Sequence, residues 1–552
     1  MIKNVLKIHP KDNVLVALKD LKKGETVLDE GNRLMLTHDI PAKHKLAARD
    51  FLEGDDIIMY GVLVGKTVSA VQQGGLLTIQ NIHHASGAYS LHQRKTEWNR
   101  PDAKPWSQRT FLGYHREDGS VGTANHWVVI PLVFCENRNI DVLQEAFSKA
   151  LGYQPKFSPF QSMVQRLAEL HQAGKTESEL LLTDIGPDEK LRHSGERIFP
   201  NIDGIKFLTH PLGCGGTRQD ARALCGLLAG YITHPNVAGA TVLSLGCQNA
   251  QVSILKEEIE KRDPKFSKPL VILEQQKLGN EQLLLQEAIR RTFSGLVNAN
   301  RNARRPATLD KLCIGLECGG SDGFSGISAN PAIGYTSDLL VALGGSVILS
   351  EFPELCGVEQ ELSDRCVDES TAERFMELMN TYHKKAEASG SGFYANPSPG
   401  NIRDGLITDA IKSAGAARKG GTSPVADVLD YPEKVTKPGL NLLCTPGSDI
   451  ESTTAEVGSG ATVVLFTTGL GTPTGNPIAP VIKLSSNSSL FLKMNDIIDI
   501  DTGTIIEGME TIQEAGERIL DFVIRVASGE VRAKADELHH DDFIPWKRGI
   551  SL

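Results

Sequence analysis

Cysteine is scarce in this chain: nine thiols among 552 residues. The number is odd and no two are spaced Cys-x-x-Cys. That excludes a disulfide-built scaffold, disfavours a structural zinc site and points to a reducing compartment. Positive charge is also short, with 58 Lys and Arg against 68 Asp and Glu and a net charge of -10. No bulk attraction to nucleic acid or an anionic membrane follows, so the partners left are small molecules and further copies of the chain. No apolar run approaches the roughly 18–20 residues of a spanning helix. The start, MIKNVLKIHPKDN, has no continuous apolar stretch of the secretory kind, and the expected location is cytoplasmic. P-loop and HExxH motifs are missing. The late GLGTPTG is one residue too long for GxGxxG and is not followed, about 20 positions on in a βαβ unit, by a ribose-binding acid, which argues against a dinucleotide. No fixed-period repeat is present. What remains is an ordinary globular composition, 40% hydrophobic and 23% charged, long enough at about 150 residues per domain for three or four domains.

Residues 1–92 carry short apolar alternations broken by Gly and Asp pairs, the pattern of a small all-β module. Residues 93–108 (QRKTEWNRPDAKPWSQ counted from Gln93) have neither helical nor strand period and read as a linker. Beyond it, helical stretches alternate with continuous apolar runs, which indicates strands buried on both faces and hence parallel α/β sheets. The expectation is a multidomain α/β protein, with α/β domains over 109–265 and 266–552. The apolar runs end in Gly, Cys, His or Glu, for example GIKFLTH at His210, TVLSLGC at Cys247, KLCIGLEC at Cys318 and SVILSE at Glu351. In parallel sheets ligands bind beyond the carboxyl ends of strands, so these residues are picked out by topology.

Three thiols sit in glycine-bracketed turns: Cys214 (GCGGT), Cys247 (GCQN) and Cys318 (ECGGSDG). Thiolates are soft metal ligands, and small neighbours let a metal approach the backbone. Cys135, Cys225, Cys313, Cys356, Cys366 and Cys444 read as core filler. Six of the fifteen histidines (His9, His38, His44, His83, His84 and His92) crowd into the first 92 residues, and His210 closes a strand just before Cys214. The run ECGGSDGFSGISANP (317–331) offers Ser, Asp and Asn side chains and Gly amides suited to a polyhydroxy acid or a phosphate. NPSPGN (396–401) and RKGGTS (418–423) are weaker loops of the same kind.

Taken together, IHPKDNV (8–14), DIPAKHKLA (39–47), FLGYHREDGSVGTAN (111–125), THPLGCGG, LGCQN, the long 316–341 segment, TPGSD (445–449) and TTGLGTPTG resemble the altronate/galactarate dehydratase family over almost the whole chain. The resemblance implies an N-terminal SAF (β-clip) module and a divalent-metal enzyme, classically Fe²⁺ with Mn²⁺ as an alternative, that removes water from a sugar acid to give a 2-keto-3-deoxy acid. Two departures bear on substrate. The family's HxHN run at the end of the β-clip corresponds to TIQN (78–81) here, with His83 and His84 just beyond, and its GRG in the late loop is GLG, with Leu470 in place of arginine. The beginning at IHPKDNV resembles the altronate branch more than the galactarate branch.

Such a reaction needs a base for the weakly acidic C2 proton, an acid for the C3 hydroxyl and stabilisation of enolate-like charge. His210 and His44, with His9 and Asp12, are the expected proton-transfer groups. Ser321, Asp322 and Asn330 are expected to hold the sugar acid, and Lys483 to neutralise its carboxylate. Cys214, Cys247 and Cys318 are expected to hold iron, as a single ion or as a three-thiolate 4Fe-4S cluster with one open iron. A non-catalytic sugar-acid-binding module and an electron-transfer iron–sulfur protein are the competing classes.

Overall fold

The computed structural model describes residues 4–29, 31–87, 89–91, 94–153, 159–184 and 197–551; His92 falls outside them. The N-terminal module is all β, as its alternation predicts: β1 (Val5–Leu6), β2 (Val14–Ala17), β3 (Thr26–Asp29), β4 (Asn32–Met35), β5 (Lys45–Ala47), β6 (Asp56–Met59), β7 (Val62–Thr67) and β8 (Ile82–His83). They pair antiparallel as β1-β2-β5, β3-β4 and β6-β7-β8. The residues after it run along the C-terminal domain. Lys95 N donates to Asp364 O at 2.7 Å and Trp98 Nε1 to Thr422 Oγ1 at 3.1 Å. The linker is therefore a strap held to the protein surface.

β9 (Thr110–His115) and β10 (Val121–Gly122) lead into β11 (His126–Pro131), β12 (Gly204–Phe207), β13 (Val237–Ser244) and β14 (Leu270–Glu274). The last four form one sheet in the order β12-β11-β13-β14, parallel throughout. A domain boundary after residue 265 is thereby corrected: β14 completes this sheet and the helix Glu281–Ala299 packs on it. The apolar run LVILE continues the second domain because it pairs with β13, a contact that periodicity alone does not reveal.

The chain then returns through β15 (Arg305–Thr308), antiparallel to β9, into a seven-stranded parallel sheet. This comprises β16 (Cys313–Cys318), β17 (Ser346–Leu349), β18 (Val425–Asp430), β19 (Gly439–Cys444), β20 (Val463–Thr468), β21 (Val481–Ser485) and β22 (Ile500–Asp501), in the order β18-β19-β17-β16-β20-β21-β22. The winding reverses between β16 and β20. That is the topological switch point, where the crevice above the strand ends opens to a ligand.

The domains share cores. Val128, Ile130 and Val242 of the second sheet lie in one apolar cluster with Leu443, Val464 and Phe466 of the third, and Val16, Phe51 and Val64 of the β-module lie in another with Leu316, Phe324 and Ile411. Each such fully buried side chain stabilises the fold by about 1.5–3 kcal/mol. Residues 543–549 stitch the last two domains: Phe543 is in the shared core, the Arg548 and Gly549 amides donate to Asp220 Oδ1 at 3.0 Å each, and the Arg548 guanidinium pairs with Asp430.

Candidate active site

The loops leaving β16 and β20 carry ECGGSDG and TTGLG, so the sequence places its densest small-residue segments at the switch point. Asp322 organises the first loop. Its Oδ1 accepts from the amides of Phe324 (3.1 Å) and Ser325 (2.9 Å) and from the hydroxyls of Ser325 (2.9 Å) and Ser486 (2.7 Å), while Asn487 donates to Oδ2. Lys43 of the β-module completes the set, its ammonium 3.0 Å from Asp322 and 3.2 Å from Asp404. Lys45 lies beside it, wholly buried, donating to the carbonyls of Lys43 and Gly405. Burial pulls its ammonium down to about 7. The β-module thus closes over the crevice with two lysines.

Beneath the loop, carboxyls gather around Cys318. Its Sγ lies 3.4 Å from Glu351 Oε2 and 3.3 Å from Glu354 Oε2. Lys419 donates to Glu351 (2.9 Å), and Lys412 donates to Glu354 (2.6 Å) and to Asn396 (2.8 Å). Glu351 holds a left-handed backbone at φ 63°, an uncommon conformation for a side-chain-bearing residue that points to a constrained site. Glu456, in the helix Asp449–Ser459, accepts from Ser350 Oγ (2.7 Å) and Leu316 N (3.0 Å), and Ser350 also reaches Glu317. Five carboxyls, those of Glu317, Glu351, Glu354, Glu456 and Asp449, therefore face two ammoniums.

Not all five ionise. Burial and the neighbouring acids Glu351 and Glu456 push Glu317 well up, and burial with Glu354 nearby raises Glu351. Burial lifts Glu456 to about 8 and, with Glu351 and Glu354, Asp449 to about 6. Glu354 is also penalised by burial, but Lys412 and Lys419 outweigh it and hold its carboxyl low. Asp449 is the half-buried member, at the mouth. A Cβ at Gly319 would stand 2.0 Å from its Oδ2, so only glycine lets this carboxylate lie against the strand end. Perturbed carboxyls with different proton affinities, set side by side in a switch-point crevice, are the equipment of general acid–base chemistry.

A second cluster lies along the same two elements. Cys356 follows Glu354, and Asp409 precedes Lys412 by one turn of the helix Asp409–Ala416. With His84 from the β-module, Cys356 and Asp409 place one ligand atom each within 4.8 Å of one another. His84 Nδ1 and Asp409 form an ion pair.

The expected site residues divide. Asp322 and Ser321 are at the crevice, Ser321 O accepting from Asn401. His44 is half-buried beside Lys43; its Nδ1 faces Ala42 O at 3.2 Å, which leaves the lone pair on Nε2, and burial lowers its pKa so that the ring is neutral. His210 is elsewhere and fully committed. Leu212 N donates to Nδ1, Nε2 donates to Pro131 O at 2.8 Å, and burial drops the ring to about 4, so no nitrogen is free to move a proton. Asp12 is a turn carboxylate accepting from the amides of His9 and Gly61, and His9 accepts from Lys11 N. Asn330 ties the site's scaffold, donating to Gly415 O and accepting from Thr467. Lys483 lies against His540 and Asp499, and burial lowers it to about 8.

The iron assignment is corrected: Cys318 is buried among acids in the third domain, whereas Cys214 and Cys247 are exposed in loops of the second. Strand ends alone did not distinguish one sheet from another. Cys135 is exposed and so is not core filler, while Cys313 and Cys356 are half-buried and pack against the apolar clusters. Glu351 was picked out as a strand end but given no role, and Glu354, Lys412, Lys419, Asp449 and Asp409 were missed, although TPGSD and RKGGTS pointed to segments that carry two of them.

A crevice of carboxyls with different proton affinities, closed by a β-module, is an arrangement that acid–base enzymes use. Residues 3–85 match the family described as Altronate/galactarate dehydratase SAF domain, 113–300 the one described as D-galactarate dehydratase/Altronate hydrolase, second domain, and 309–551 the one described as D-galactarate/Altronate dehydratase, C-terminal. The chain belongs to the altronate/galactarate dehydratase family. It is 32% identical to an altronate dehydratase of Bacillus subtilis over 100% of both chains. It is 33% identical to an altronate dehydratase of Escherichia coli, covering 95% of each. With the galactarate dehydratase (L-threo-forming) of E. coli it shares 32% identity over 96% of this chain and 94% of that protein. The β-clip expected at the N-terminus is the module seen here, and the relatives are dehydratases.

Proposed function

We propose that the protein dehydrates D-altronate to 2-keto-3-deoxy-D-gluconate. The reading is carried by the carboxyl cluster at the switch point, in a chain that aligns end to end with dehydratases. Loss of water from C2–C3 needs one group to take the C2 proton and one to give a proton to the C3 hydroxyl. The C2–H electrons form the C2–C3 double bond, the C3–O bond breaks, and the enol becomes the ketone without redox change. Asp449, at the mouth and ionised above about pH 6, is the proton acceptor. A carboxyl behind it that burial and the neighbouring acids hold protonated, Glu317, supplies the proton to the leaving hydroxyl. Lys43 draws the substrate carboxylate to the Asp322 loop.

The family's metal has an uneven choice of ligands. The Cys318–Glu351–Glu354 group is saturated by Lys412 and Lys419, so its charge is already compensated. His84, Cys356 and Asp409 bring no lysine or arginine partner into the ion pairs described and suit a borderline divalent ion such as Fe²⁺. Such an ion, bound by those three side chains, would supply Lewis-acid stabilisation of enolate-like charge.

Incubation of the protein with altronate, followed by semicarbazide detection of a 2-keto acid, tests the proposal; no product from altronate refutes it. Galactarate is the second reading, favoured by the equal 32% identity to a galactarate dehydratase, and product from galactarate alone would establish it instead.

A further inference from the structure

Three of the nine cysteines are exposed, Cys135, Cys214 and Cys247, and all three lie at the same end of the same sheet. β11 runs into Cys135, β12 into the Cys214 loop and β13 into the Cys247 loop, and β11 is hydrogen-bonded between the other two strands. The loops are also tied to one another. Phe134 N, next to Cys135, donates to Leu212 O at 3.0 Å. Ala250 N donates to Gly213 O at 3.1 Å, and Asn249 Nδ2 donates to Cys214 O at 3.1 Å. Gly213, at φ 100°, lies so close to the end of β11 that a Cβ there would stand 2.3 Å from Leu132 O. The Cys214 loop is thereby pressed onto the segment that carries Cys135.

We propose that Cys135, Cys214 and Cys247 hold an iron–sulfur cluster. Exposed free thiols are a liability that soluble proteins rarely gather in one place unless a soft ligand uses them. Spacing decides the kind of ligand. A single tetrahedral ion with metal–sulfur bonds of about 2.3 Å needs its sulfurs roughly 3.8 Å apart. The three sulfurs are not all within 4.8 Å of one another, because no metal-ligand group of that size among the described residues includes them. A multi-iron cluster carries its own sulfide, spans thiolates set further apart than one ion allows and takes one at each of three irons, leaving the fourth open. Gln276 Nε2 donates to Cys247 Sγ at 3.3 Å, the kind of hydrogen bond that tunes a ligating sulfur. A cavity of about 230 Å³ adjoins Cys214, lined by Phe134, Gly215, Gly216 and the cationic Lys547, so the open iron would face space for an anionic ligand. On binding, each thiol gives up its proton and forms one Fe–S bond. Cys318 has no part in it.

The test is made on the full chain, purified anaerobically and reconstituted with ferrous iron and sulfide. About four iron and four acid-labile sulfide per chain, with broad visible charge-transfer absorption, are expected. Cys135→Ser, Cys214→Ser and Cys247→Ser should each lose most of both, with an unchanged far-ultraviolet dichroism spectrum as the check on folding. Cys318→Ser should keep both, and Cys356→Ser should keep the sulfide. Iron without sulfide, no bound iron, full retention in Cys135→Ser or loss in Cys318→Ser would each overturn the assignment. These readouts do not depend on turnover, so failure of the dehydratase reading leaves the result interpretable, and the converse also holds.

Discussion

Lys419 is 1% exposed and donates to an equally buried Glu351, with Cys318, Glu317 and Glu354 also around it. Replacing it by methionine keeps most of the volume and removes the charge. Breaking a buried pair from one side costs about 3–5 kcal/mol, because the surviving charge has neither water nor a partner. For a domain the size of residues 309–551, each kcal/mol moves the melting temperature by about 2–4 °C, so Lys419→Met should lower the melting temperature of this domain by roughly 6–20 °C. The penalty depends on pH in a definite direction. Without Lys419, Glu351 and Glu317 have folded-state pKa values still further above their unfolded ones. Such a carboxyl favours the folded state fully below its unfolded pKa, and that contribution is lost as pH rises through the folded value. The defect should therefore be small near pH 5 and largest near pH 8. Calorimetry or dichroism melts across that range measure it, and Glu351→Gln added to Lys419→Met should restore part of the loss at pH 8. A melting temperature unchanged at pH 8, or a defect larger in acid, would refute the account of the cluster.

Gly319→Ala should cut kcat/KM by about a hundredfold, since the new methyl would stand 2.0 Å from Asp449 Oδ2 and must push that carboxylate aside; steady-state kinetics measure the loss. Because Asp449 is raised to about 6 and acts ionised, kcat/KM should rise with pH through that value, and Asp449→Asn should abolish the limb along with most of the rate. Lys43→Ala removes the cation between Asp322 and Asp404, so KM for the sugar acid should rise about tenfold and limited proteolysis after the β-module should speed up. His84→Ala should lower bound divalent metal, read by elemental analysis of protein kept free of sulfide, while Lys483→Met leaves it unchanged.

The all-β beginning, the parallel sheets and the strand-end loops were legible because each has a local signature: alternation for half-buried strands, continuous apolar runs for doubly covered ones, and small residues where a turn approaches a ligand. Strand order was not legible. β16 neighbours β20 across a gap of well over a hundred residues, so the pairing that makes ECGGSDG and TTGLG into one crevice is a long-range fact. The same blindness grouped Cys318 with Cys214 and Cys247, which share its glycine context and not its sheet. His210 looked catalytic from its position beside Cys214, and only its two backbone partners reveal it as a fastener of that loop. Buried charged residues such as Lys419 and Glu351 give no periodic signal, because their placement depends on partners from distant segments.

Residues 543–549 reach back to Asp220, a residue more than three hundred positions earlier in the chain. During synthesis the second domain emerges long before them. Its flank at Tyr231 and Leu228 is covered first by the helix Asp449–Ser459, whose Thr454 O accepts from Tyr231, and last by Phe543, so ribosome-bound intermediates must carry part of that apolar surface exposed. Protection of this flank by a chaperone, or its aggregation when synthesis is slowed before residue 543, follows from a stitch made more than three hundred residues after Asp220.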